Sequence, residues 1–434
     1  MLDDIILAED DALLAALSEQ GPMNLPRAYE VMDRFGIDGL VLGDPLNVYH
    51  LLGYYPQIGL TRWGQPPTTF AILSRDPNLK PAIVTSHFIY YYSFADGGSR
   101  GDISAYLFEA SANMGDGLQV EPNPMFFADR QSAPMTTVEQ RRRTETDRIL
   151  ATRHLYAEAG GALVGAFKDM GLWNGTLAVD HSVVAAVDEQ HKRPGRTVAG
   201  DNILRWIRIV KSPLELELMK RGAQANAAAV DAVVAAVREG AGYRELRRLF
   251  DVEAAKRGNK SVFMTIDRVS SQLPLDDRVR DGQSLFLDGV SHFQHYHGDY
   301  ARTVFVGEPT QAVRREADVA VRGWEAIREQ LRPGLPFARI ADIGREVLVK
   351  THADSMVTFG PHSVGLMHTD EPGLDLGGFY AKEALTLEEN MVLSVDCPSL
   401  ATGIGGSVHI EDLVQITADG AIPIHKIDSH VITV

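Results

Sequence analysis

The chain has 434 residues, 45% hydrophobic and 23% charged, which suits a folded protein of two or three domains and excludes a disordered, collagen-like or coiled-coil chain. Lys+Arg 42 against Asp+Glu 58 gives a net charge of −16, which argues against nucleic acid or an anionic membrane surface as partner, since both select a basic face. The 1 cysteine, Cys397, rules out an intramolecular disulfide and fits a reducing compartment.

The opening MLDDIILAEDDALLAAL is acidic where a signal peptide needs positive charge. No apolar run approaches the roughly 20 residues of a membrane span; the longest, around 223–237, is broken by Asn226 and Asp231. A cytoplasmic protein without a membrane partner is expected. Residues 26–35 have helical patterning, and GLVLG at 39–43, TFAILS at 69–74 and PAIVTS at 81–86 are apolar runs of strand length. The charged stretch 136–167 reads as one helix and LAVD at 177–180 as a strand, so this half is α/β. The boundary is placed at 203, giving domains 1–203 and 204–434.

The second half opens on Ser212, Pro213 and Glu215, a capping box with proline at the first helical position. Apolar residues from Leu216 to Val237 step by three or four, and Gly240 is expected to end that helix. A helix over 243–257, strands at 284–290 and 300–306, helices over 311–331 and 337–351, and strands at 391–397 and 408–417 follow. Two helices then strands, twice over, predict an α+β domain with pseudo-two-fold layout, helices packed on a curved antiparallel sheet.

Four acids and one histidine stand out here: Asp288 in SLFLDGV, Asp299 in HYHGDYARTV, His362 in FGPHSVGLMHTDEPG, Asp396 in MVLSVDCP and Glu411 in GSVHIEDL. Carboxylates in apolar strands are costly unless paired, hydrogen-bonded or metal-bound. Four converging without cations would repel one another, and divalent ions relieve that; oxygen donors with one imidazole suit Mn, Co, Fe or Zn better than Ca. Read singly, each acid is as well explained as a turn or cap residue and His362 as a hydrogen-bonded loop residue. His292, His295 and His297 resemble a metal tract but lack a partner ligand pattern, and Arg302 reads as a salt-bridge residue.

The order and context of these motifs carry more. WIRIVKSPLELELMKRGA, the Asp288–Asp299 spacing continuing as DYARTV, HSVG, MVLSVDCP and HIEDLVQITADG resemble the pita-bread-fold superfamily of methionine aminopeptidase, aminopeptidase P, prolidase and creatinase. GIDGLVLGDPLNVYHLLGY at 36–54 is similar to the creatinase/prolidase N-terminal domain, so the resemblance spans nearly the whole chain. It implies a creatinase-type α/β domain before a pita-bread catalytic domain. It also implies two divalent metal ions held by Asp288, Asp299, His362, Asp396 and Glu411, with Asp299 and Glu411 bridging both. The implied reaction is hydrolysis of a small amide-like or dipeptide substrate of Xaa-Pro peptidase or prolidase type, by a hydroxide shared between the ions. His368 would assist the developing oxyanion or leaving group, and Asp370 could share that role. The resemblance further implies a homodimer.

Departures from the pattern keep alternatives open. Asp396 stands where the family has Glu, and His368 lies six rather than seven after His362. No His occurs between 259 and 291, where the family carries one; Ser270 or Ser271 falls there. His409 replaces the Arg two before the last Glu. His409, Ser270, Arg62 and Trp63 are the substrate-binding candidates. The alternatives are a non-peptidase relative (a creatinase-like or ectoine-hydrolase-like C–N hydrolase, or a metal-dependent lyase) and a non-catalytic binding module.

Overall fold

The computed structural model describes residues 10–57, 65–97, 100–109, 119–120, 132–267, 277–373, 385–427 and 429–434. The chain divides into two compact units, one of Leu14–Ile207, the other of Arg208–Val434 together with the N-terminal stretch up to Leu13.

The first unit is built on one mixed sheet. Its strands are β1 (Gly39–Leu42), β2 (Thr69–Ser74), β3 (Ala82–Ser86), β4 (Ser104–Phe108), β5 (Gln119–Val120), β6 (Leu155–Tyr156), β7 (Thr176–Val179) and β8 (Arg196–Ala199), in the order β5-β6-β4-β3-β2-β1-β7-β8. β1, β2 and β3 are buried on both faces, which is why GLVL, TFAILS and AIVTS read as continuous apolar runs. Asp180 follows β7 and gathers the next loop: its carboxylate accepts from the Gly43 and Asp44 N–H groups and from Asn47 Nδ2. The stretch expected as one helix is two, Thr137–Thr152 and Ala159–Asp169, with β6 between them. Leu155 and Tyr156 are buried in the sheet, and that pairing interrupts a pattern that charge and propensity alone would continue.

The second unit holds two four-stranded sheets. One contains β9 (Lys260–Ile266), β10 (Ser284–Phe293), β11 (Tyr296–Phe305) and β16 (Val431–Thr433), in the order β16-β11-β10-β9. The other is β12 (Gly360–Ser363), β13 (Val392–Asp396), β14 (Val414–Thr417) and β15 (Gly420–Pro423), in chain order and antiparallel throughout. A helix pair precedes the main hairpin of each: Pro213–Val234 and Tyr243–Lys256, then Gln311–Arg328 and Arg339–Thr351. The α+β layout and its pseudo-two-fold repetition are therefore as expected.

The capping box is present, Ser212 Oγ accepting from Glu215 N and Glu215 Oε2 from Ser212 N. The helix ends at Val234, before the expected stop at Gly240, and the chain turns there. The polar residues that break its apolar run are both satisfied: Asn226 donates to Gly289 O at 2.7 Å, and Asp231 accepts from Tyr300 at 3.1 Å. This helix packs directly on β10 and β11. A Cβ at Gly289 would lie 2.6 Å from Val230 Cγ2, and one at Gly298 2.8 Å from Ala223 Cα. Successive strand residues face opposite ways. Two glycines thus admit the helix on one face, and their neighbours Asp288 and Asp299 point to the other.

Residues 408–413, expected as the start of a strand, are not one. They form a ribbon joining the sheets through single bridges. Glu411 pairs with Ala301 of β11, Val408 pairs with Ser399, and Cys397 N donates to Ile410 O. Pairing on both sides keeps this ribbon out of either regular ladder.

Candidate metal centre

The spacing of Asp288 and Asp299 is set by a hairpin. β10 and β11 are joined by Gln294 and His295, both with positive φ (46° and 67°), as a two-residue turn matched to strand twist requires. That turn puts Val290 opposite Asp299 and Asp288 opposite Ala301. The two carboxylates are therefore diagonal neighbours on one face. The second sheet repeats the device: His362 lies opposite Ser394 and Gly360 opposite Asp396, so His362 and Asp396 share a face diagonally. Glu411 enters from the ribbon between them.

All five side chains meet. His362 Nε2 lies 3.2 Å from Glu411 Oε1, 3.5 Å from Asp299 Oδ2 and 3.6 Å from Asp396 Oδ2. His368 Nε2 is 3.1 Å from Asp299 Oδ2, and His409 Nε2 is 3.3 Å from Asp396 Oδ1 and 3.5 Å from Glu411 Oε2. Three sets of convergent donors result among the described residues: Asp299 with His362 and His368, His362 with Asp396 and Glu411, and Asp288 with His409 and Glu411, all donors of a set lying within 4.8 Å of one another. None of these sets includes the His292–His295–His297 cluster.

The electrostatics of the cluster follow from burial and proximity. Burial, then the negative charge of Glu411, pushes Asp288 up to about 7. The same two causes raise Asp299. Burial works against a charged His362, but its hydrogen bond to Glu411 and the charges of Asp396 and Asp299 outweigh it and set the ring at about 10. Burial would raise Glu411, yet hydrogen bonds from His362 and His409 hold it well below its ordinary value. Asp288 Oδ1 and both oxygens of Asp299 are buried and accept no hydrogen bond. Buried carboxylate oxygens without donors, converging with imidazole nitrogens, are the donor set that a divalent transition ion satisfies.

A supporting layer fixes these groups. Thr265 donates to Asp288 Oδ2 at 3.0 Å and Ser394 to Glu411 Oε1 at 2.5 Å. Behind the ribbon, Asp412 accepts from Arg302 (2.7 Å), Trp324 Nε1 (3.0 Å) and His430 Nε2 (2.7 Å). Burial opposes that carboxylate, but the Arg302 charge and the His430 hydrogen bond hold it below its ordinary pKa. Arg302 also donates to the Glu411 carbonyl at 3.0 Å. Arg302 is thus a salt-bridge residue, as its sequence context suggests. Its partner Asp412, next to Glu411 in HIEDL, is the supporting residue that sequence reasoning missed; adjacency to a candidate ligand was the available signal.

The remaining candidates fall in different places. Asp370 is fully buried and held by Arg208, whose Nε lies 2.9 Å from each carboxylate oxygen. With Glu371, which accepts from Ser363 N at 3.0 Å, it anchors the loop carrying His362 and His368. His409 is inside the centre. Arg62, Trp63 and Ser270 lie outside the described residues.

The sequence model of metallopeptidase family M24 matches residues 217–418, the stretch that contains every donor above. Over that stretch the chain is similar to metallopeptidase family M24. Among curated M24-type relatives, it is 26% identical over 229 residues to an Xaa-Pro dipeptidase of Pyrococcus furiosus, covering 51% of this chain and 64% of that protein. It is 28% identical over 249 residues to a probable dipeptidase PepE of Mycobacterium tuberculosis, covering 55% and 64%. These matches thus span just under two thirds of either relative. A dipeptidase structure from Pyrococcus horikoshii superposes with a TM-score of 0.69 at 14% identity, covering 95% of this chain and 100% of that one. At that identity the likeness is one of fold, and it confirms a creatinase-type domain preceding a pita-bread domain.

Proposed function

We propose that this protein is a metal-dependent hydrolase of a small amide-like substrate, of the Xaa-Pro peptidase or prolidase type. The observation that carries the reading is the convergence of Asp288, Asp299, His362, Asp396 and Glu411 from two sheets and a ribbon onto one set of unsatisfied buried oxygens. The Pyrococcus furiosus relative is an Xaa-Pro dipeptidase and the mycobacterial one a probable dipeptidase, which supports the peptide class of substrate.

Those five residues would hold two divalent ions drawn from Mn, Co, Fe or Zn. Bound there, such ions supply Lewis-acid polarisation of a carbonyl and a water acidic enough to attack it at neutral pH. The chain's own groups do the rest. Asp299 and Glu411, central in the cluster, are the bridging candidates. His368 is over a third exposed, and burial together with the His362 charge lowers its pKa, leaving a neutral imidazole at neutral pH. A neutral ring can take a proton at Nε2, next to Asp299, from the attacking water and as imidazolium pass it to a leaving nitrogen. Asp370, locked to Arg208, positions that histidine's loop and does not move protons itself. A homodimer and a cytoplasmic location belong to the same proposal.

The test is elemental analysis of the purified protein followed by Xaa-Pro dipeptide assays with added Mn, Co, Fe or Zn. Metal-dependent release of proline is expected. Folded protein that takes up none of the added metals would sink the reading. A second reading, a C–N hydrolase or lyase acting on another small metabolite, is favoured by the absence of any His between 259 and 291. Turnover confined to non-peptide substrates in a metabolite panel would select it.

A further inference from the structure

His409 stands within the cluster as a second buried imidazole, and its geometry is that of a ligand. We infer that His409 binds the second metal ion through Nε2, in the set Asp288, His409 and Glu411, so that each half of the centre takes one imidazole. The inference rests on the metal reading above and deepens it: a nitrogen donor at both positions shifts preference toward Co, Zn or Fe and away from Mn.

Three observations carry it. Ligands about 2.0–2.2 Å from one tetrahedral or octahedral ion lie roughly 3.0–3.5 Å from each other, the edge of the coordination polyhedron. His409 Nε2 is 3.3 Å from Asp396 Oδ1 and 3.5 Å from Glu411 Oε2, and it falls within 4.8 Å of donor atoms of both Asp288 and Glu411. Next, the ring is preset. Its side chain is 6% exposed, Phe286 stands edge-on to it with centroids 5.4 Å apart, and Thr303 Oγ1 both donates to His409 O (2.9 Å) and accepts from His409 N (3.1 Å). Finally, Asp288 Oδ1, buried in the same set, accepts no hydrogen bond, so His409 is not there to satisfy that oxygen. The His362 set lies on the other side of Glu411, whose Oε1 faces His362 while Oε2 faces His409. One carboxylate thus separates two imidazole-bearing positions.

The test uses cobalt(II) as probe on the full chain, with stoichiometry and affinity from calorimetry, visible absorption of the bound ion, and the paramagnetically shifted imidazole N–H signals. Wild type is expected to bind two cobalt ions per chain. His409→Ala and His409→Arg, whose guanidinium cannot ligate, should each keep one ion and weaken the second more than tenfold, with loss of one shifted N–H signal. Unchanged affinities and signals in His409→Ala would overturn the assignment, as would tighter binding, the mark of an imidazolium competing with the ion. Wild-type protein that takes up no cobalt overturns the metal centre as a whole, and this ligand with it. Should neither variant fold, X-ray absorption on doubly loaded His368→Asn protein decides. About one imidazole per cobalt supports His409, and about one half overturns it.

Discussion

Arg302 and Asp412 are both fully buried, 2.7 Å apart, directly behind the ribbon that presents Glu411. Removing one partner of such a pair leaves the other charge in a dry interior, at a cost of about 3–5 kcal/mol. Arg302→Ala should therefore lower the urea midpoint by a corresponding amount. Arg302 also holds the Glu411 carbonyl, so metal affinity in refolded variant protein should fall by roughly 10–100-fold, the usual effect of losing support behind a ligand. Unaltered affinity in a folded variant would mean the pair serves stability alone. The sequence made Asp288, Asp299, His362, Asp396 and Glu411 stand out through the order and context of their motifs, since each read singly is as well explained as a turn, cap or loop residue. Asp412 was hidden by the same logic, since one carboxylate beside another draws no separate notice.

At the level of elements, the hairpin and its covering helix decide whether the carboxylates can meet. Gly289 lies between Asp288 and Val290, and a methyl group there would press on Val230, Phe250 and Met264. Overpacking of this kind costs about 1–3 kcal/mol. Gly289→Ala should lower thermal stability and, by lifting β10 from the helix, weaken metal binding; a variant with wild-type melting and affinity would show that the helix yields instead. Periodicity disclosed the Pro213–Val234 helix, its capping box and both long strands, because burial and local propensity agree there. It failed where partners distant in the chain decide: at Leu155 and Tyr156, drawn into a sheet out of a charged run, and at 408–413, a stretch of mixed apolar and polar residues shared between two sheets and regular in neither.

For the molecule as a whole, two titrations are informative. Burial, then neighbouring His297, His295 and Lys260, lowers His292 to about 3, and burial with Lys260 lowers His295 to about 4. Both are depressed from 6.5, so the unfolded chain binds more protons between those values. The stability they leave intact is present above pH 6.5 and is lost as pH falls toward 4. His292→Asn/His295→Asn protein should thus lose less stability than wild type between pH 7 and pH 5 in urea melts; parallel losses would refute the sign. Asn suits His295 in particular, whose φ is 67°. A chelator gives the second measure. Ions bound only by the folded state stabilise it by about 2.7 kcal/mol at 100 times Kd, so the melting temperature should drop on EDTA treatment and return when metal is restored.

The ribbon at 408–413 has a mechanical consequence. Donors on β10 and β11 belong to one sheet, those on β12 and β13 to the other, and Glu411 rides on the strip tied to both. Any sliding of one sheet past the other is transmitted first to that strip. The gap between the two donor sets is therefore a gauge of shear between the sheets, and changes in distant helices that tilt either sheet would retune it without touching a single donor.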